Sequence, residues 1–124
     1  MTLKEAIVKF DTEKSNTIPD ELKIGWLSSL DSSVFHTLVL THETNDNISF
    51  SPYTTDTSED TVLLIPEPFT DIYFHYLAMK TDLYYSDINK YNVDLSLYSS
   101  LYLDFERYYN RKYMPKKITH NFNV

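Results

Sequence analysis

Between Asp87 and Lys112, the residues Ile88, Tyr91, Leu95, Tyr98, Tyr102, Phe105 and Tyr109 recur at alternating spacings of three and four. That spacing places them on one stripe of a long α-helix. At a rise of roughly 1.5 Å per residue the helix is about 39 Å long, enough to cross a small domain from end to end. A chain of 124 residues is one domain by size and can bury a single core. The remaining segments must therefore cover this stripe or leave it to a partner.

Thr2 and Glu5 have the form of a capping box, and Leu3, Ala6, Ile7 and Phe10 share a face, so a first helix is expected from about Leu3 to Glu13. Pro19 suits a first helical turn, with Asp20 and Glu21 at the positive end of the dipole. Leu22, Trp26, Leu27, Leu30, Val34 and Leu38 then give a second helical period reaching about Leu40 or His42. Gly25 and the Asp31-Ser32-Ser33 cluster weaken it locally and make Asp31 the place for a kink. The β-branched content of Val34 to Thr41 also reads as strand.

Thr44 to Asp60 is seventeen residues rich in turn formers, made acidic by Asp46, Asp56, Glu59 and Asp60. A loop of this length in a small domain is functional or mobile. Within it Asn47 to Phe50 is a candidate strand to pair with Thr61 to Ile65, the one strong strand signal. Pro66-Glu67-Pro68 opens a third helix whose apolar face runs over residues 69–84, and Asp87 can cap the long helix after a short turn. Pro115 pushes Met114 out of helical conformation and ends that helix by about Tyr113. The expected fold is mainly α: a small helical bundle with a long helical hairpin over about 69–112, a short β element near 47–65 and an extended C-terminal arm. Within the single domain 1–124, residues 1–43 form the N-terminal helices, 44–65 the acidic loop and short strands, 66–115 the hairpin and 116–124 the basic arm.

Composition narrows the chemistry. The one glycine, Gly25, disfavours phosphate-cradling loops and nucleophile elbows. There is no cysteine, which removes disulfides and thiolate metal sites and suits a reducing, intracellular setting. No apolar run approaches the length of a membrane span, and the N-terminus lacks the pattern of a signal peptide. His36, His42, His75 and His120 show no metal-ligand spacing, so neither metal nor cofactor is expected. Glu67, Asp71, Asp82, Asp87, Asp94, Asp104 and Glu106 lie opposite the apolar stripes and read as solvated, leaving no carboxylate pair for acid–base work. No enzyme is expected.

Charge and aromatic content point to protein contacts. The net charge of −7 resides in residues 1–65, whereas residues 66–124 balance and end in Arg107, Arg111, Lys112, Lys116 and Lys117 with no acid among them after Glu106. Ten of eleven tyrosines lie between Tyr73 and Tyr113. At helical spacing most belong to a core, but Tyr84, Tyr85, Tyr108 and Tyr113 flank the stripe and are candidates for contacts between subunits.

Several segments, in order, carry a resemblance: Trp26-Leu27-Ser28-Ser29-Leu30-Asp31, Thr41-His42-Glu43, Phe50-Ser51-Pro52-Tyr53, Ile65 to Tyr73 with Tyr76-Leu77, Tyr91-Asn92, and Tyr109-Asn110-Arg111-Lys112-Tyr113-Met114-Pro115. From Trp26 onward the chain resembles head–tail connector proteins, also called adaptor or head-completion proteins, of phages and prophages of Gram-positive bacteria. The resemblance implies a virion structural protein of the neck, assembled in the host cytoplasm as a homo-oligomeric ring. Its partners would be the portal protein and tail or neck proteins, with viral DNA passing through unbound and no membrane involved. The contact residues expected on this basis are Phe50, Tyr53, Asp56, Glu59 and Asp60 in the acidic loop. In the basic end they are Arg107, Arg111, Lys112, Tyr113, Lys116, Lys117, Ile118 and Phe122. Other readings are a different neck or tail-completion protein, or a small acidic phage protein that binds a host factor.

Overall fold

Thr2 starts the first helix as its spacing requires: the side chain accepts from the Glu5 amide at 3.2 Å, and the Glu5 carboxylate accepts from the Thr2 amide at 3.4 Å. The computed structural model of the protein describes residues 1–44 and 47–116. Over that range α1 spans Leu3–Glu13, α2 Asp20–Val34, α3 Asp71–Tyr84 and α4 Ile88–Lys112, and a π-helical turn, Phe35–Val39, prolongs α2. The mainly helical, bundle-like fold is as expected.

The second helix runs through Asp31 without a break, and its irregularity begins four residues later, at Phe35. There the Leu40 amide reaches back to the Phe35 carbonyl at 2.9 Å. His36 Nδ1 lies 2.8 Å from the Ser32 carbonyl, and the hydroxyls of Thr37 and Thr41 donate to the carbonyls of Ser33 and Thr37 at 2.7 and 2.6 Å. Polar side chains that bond the preceding turn loosen the regular ladder and favour the wider π-turn. Helix wins over strand for Val34 to Val39 because Val34, Leu38 and Val39 are buried in the common core.

The expected β element does not form; among the described residues there are only two isolated bridges, Thr2 with Val62 and His42 with Pro115. The reason lies in where the backbone donors of 61–65 go. The Leu63 amide donates to the Met1 carbonyl at 2.9 Å, the Leu64 amide to the Asp31 carboxylate at 3.0 Å, and the Ile65 amide to the Tyr73 hydroxyl at 2.7 Å. With consecutive donors committed to three different partners, no ladder to Asn47–Phe50 remains. Phe50 instead packs its ring against Phe35 and Tyr53.

α3 and α4 form the hairpin. Its turn is a Schellman arrangement: Asp87 N–H to the Asp82 carbonyl at 2.8 Å, Ser86 N–H to the Leu83 carbonyl at 3.1 Å, with Ser86 at φ 57°. Asp87 then caps α4 by accepting from the Lys90 amide at 3.2 Å. Aromatic pairs close the seam, Tyr76 on Tyr98 at 5.3 Å and Phe69 on Phe105 at 5.6 Å between ring centroids, while Phe10 reaches Phe74 from α1 at 5.6 Å. Phe10, Leu27, Ile65, Ile72, Leu77 and Phe105 are fully buried, each contributing about 1.5–3 kcal/mol relative to exposure. The stripe that sets the length of α4 is covered unevenly. Phe105 and Tyr109 are core, but Ile88 is 58% exposed because only the end of α3 runs beside the first turn.

Candidate functional site

The polar features of this fold are two buried carboxylate knots and two charged surfaces. The first knot is Asp31, which exposes none of its surface. Its Oδ2 accepts from the Tyr53 hydroxyl at 2.6 Å and the Leu64 amide at 3.0 Å, and its Oδ1 accepts from the Tyr73 hydroxyl at 2.7 Å. Burial raises the carboxyl above its ordinary range, against the pull of its hydroxyl and amide donors. Burial, with the carboxylate alongside, raises both phenols. Three segments distant in sequence are tied to one side chain, and with no exposed surface Asp31 cannot meet a solute. It is an architectural group.

The second knot joins α1, α3 and α4. Lys14 Nζ donates to Asp82 Oδ1 at 2.8 Å and lies 3.6 Å from Asp94 Oδ2. Asp82 is 2% exposed and its Oδ2 has no hydrogen-bond donor. Burial and the neighbouring Asp82 push Asp94 up to about 6, with Lys14 opposing them. Below about pH 6 a protonated Asp94 can supply the donor that Asp82 Oδ2 lacks. Both acids correct the expectation that the carboxylates of the hairpin are solvated. Among the described residues, no group of three or more histidines, aspartates and glutamates can hold a metal ion.

The described residues among those expected to make contacts divide into three sets. Asp56, Glu59 and Asp60 are exposed beside the start of α1, where the Lys4 amide donates to the Glu59 carbonyl at 3.1 Å. Arg107, Arg111, Lys112 and Lys116 are exposed at the second, basic surface, on the last turns of α4 and just beyond. There Lys112 Nζ sits 5.6 and 5.4 Å from the ring centres of Tyr108 and Tyr113, a cation–π seat that holds a charge on an aromatic base. Tyr113 is half-buried and stacks on Tyr109 at 4.7 Å. Tyr53 belongs to neither surface. It is buried, because its hydroxyl is one of the donors to Asp31 and its amide donates to Ser28 Oγ at 2.9 Å. Phe50 is half-buried against Phe35. Lys117, Ile118 and Phe122 lie outside the described residues.

The basic surface is anchored to the π-turn. His42 is buried, with Nδ1 2.7 Å from the Leu38 carbonyl and Nε2 2.6 Å from the side-chain oxygen of Asn110. Glu43 N–H donates to the Met114 carbonyl and Lys116 N–H to the Thr41 carbonyl, both at 2.8 Å. His42 thus fixes the end of α4 instead of merely ending a helix, and nothing in its local sequence announces the Asn110 partner 68 positions away. No described helix is long and apolar enough to cross a membrane. No protein-family model matches the chain, and neither curated proteins nor solved structures provide a match.

Proposed function

We propose that the protein is a structural subunit of a phage neck, a head–tail connector that forms a ring with copies of itself between portal and tail. The resemblance of the segments from Trp26 to Pro115 is the basis of this reading. The observation that supports it is the separation of the two charged surfaces onto different elements: Asp56, Glu59 and Asp60 beside α1, and Arg107, Arg111, Lys112 and Lys116 at the end of α4. A head-to-tail ring needs two unlike, complementary surfaces on each subunit. An acid-rich channel wall would let DNA pass without capture, since it offers nothing to neutralise phosphates.

The concentration of the whole −7 charge in residues 1–65 favours one rival, an acidic phage protein that occupies a basic site on a host factor. Quantitative mass spectrometry of purified particles separates the two. The connector reading expects a copy number similar to that of the portal protein. Absence from particles, with abundance in infected cells, would overturn it in favour of the host-binding reading.

A further inference from the structure

The outward side of α4 carries a second regular series, unrelated to the stripe that faces the core. Lys90, Val93, Leu97, Ser100, Asp104 and Arg107 follow one another at spacings of three and four, and all are exposed. Val93 and Leu97, at its middle, are 61% and 46% exposed. A three–four series of this kind is the seam of a helix pair, and here none of the described residues covers it.

From the charges along this seam we infer that its occupant is a second copy of the chain, with the two α4 helices antiparallel about a two-fold axis at Leu97. In that register Lys90 faces Asp104 of the second copy. The Asp87 that caps the helix faces the second Arg107, and each pairing occurs twice. Leu97 meets its own copy at the axis, flanked by Val93, and Ser100 is small enough to let the backbones approach. A parallel pairing in register sets Lys90 on Lys90, Asp104 on Asp104 and Arg107 on Arg107, which like-charge repulsion disfavours. Self-complementarity of this kind, in which residue i meets j and j meets i, is what a two-fold contact requires. The weak contact of Asp87 Oδ2 with Lys90 Nζ, 3.8 Å, leaves the lysine free to turn toward the second helix, while Asp87 keeps its cap through Oδ1 and offers Oδ2 to Arg107 of the second copy. The pairing rests on α4 alone and stands whether or not the chain joins a particle neck.

Light scattering with size exclusion, and sedimentation equilibrium, on the full chain test it. The expected species has twice the 14.6 kDa chain mass. Lys90→Asp alone and Asp104→Lys alone should each weaken the dimer at least about tenfold, because a single reversal sets like charges together at two symmetric places. The double variant, Lys90→Asp with Asp104→Lys, restores opposite charges and should recover most of the affinity. All these positions are exposed, and an unchanged helical circular dichroism spectrum verifies folding. A wild-type chain that is monomeric at micromolar concentration overturns the proposal. So does a closed ring without dimers, a dimer indifferent to both single reversals, or a double variant no tighter than the singles.

Discussion

At the scale of single residues, Asp94 is the group through which pH acts most directly. Its folded-state value of about 6, against 3.8 for the free side chain, means that the folded chain keeps a proton which the unfolded chain has already released. The stability associated with that proton is complete below about pH 4, declines as pH rises, and is lost above about pH 6. At about 1.4 kcal/mol per pKa unit, and discounted for partial contact with water, the change is on the order of 2 kcal/mol. Asp94→Asn places an uncharged amide donor beside Asp82 and should flatten this decline. Urea midpoints at several pH values between about 4 and 7 check it, and a variant with an undiminished slope would assign the titration to another group. Asp31, also raised, acts in the same direction but is common to both proteins, so the comparison isolates Asp94.

At the scale of elements, the helix limits were legible wherever a local rule decides them. Thr2 with Glu5, Asp87 after its short turn, and Pro115 each act within a few residues. What was not legible depended on distant partners. The strand signal of Val62 to Ile65 yields no ladder because the amides of Leu63, Leu64 and Ile65 are claimed by Met1, Asp31 and Tyr73. Periodicity marks Asp82 as a surface group and Asp31 as a helix-weakening one, since it cannot show a lysine or two phenols arriving from other segments. The hairpin turn adds a local test. Ser86 at φ 57° holds a left-handed conformation that costs a residue with a Cβ about 1 kcal/mol. Ser86→Gly should recover much of that cost. By contrast, Gly25 lies mid-helix with nothing within 4 Å of an added Cβ, so Gly25→Ala should stabilise by about 0.5–1 kcal/mol. Thermal melts of the two variants check both, and a lowered midpoint in either would mean that its turn or helix is under another constraint.

At the scale of the whole molecule, the division of charge noted in the sequence persists as two surfaces on separate elements, while the tyrosine-rich half becomes the packed hairpin. Of the contact residues expected at the outset, the acids and the basic helix end are exposed, and Tyr53 is withdrawn into the core. Two kinds of contact hold the molecule together. The hairpin seam joins adjacent helices, whereas Asp31 closes loops of 22, 33 and 42 residues through Tyr53, Leu64 and Tyr73. Loop closure costs entropy before any bond repays it, so the hairpin should form early on the folding route and the Asp31 knot late. Tyr53→Phe, which removes one donor from a buried carboxylate at a cost of about 1–3 kcal/mol, should then accelerate unfolding and leave the refolding rate nearly unchanged. Stopped-flow chevrons distinguish this from the opposite order, in which refolding slows. If unfolding takes the loss, Asp31 governs how long the folded chain persists more than how quickly it is reached.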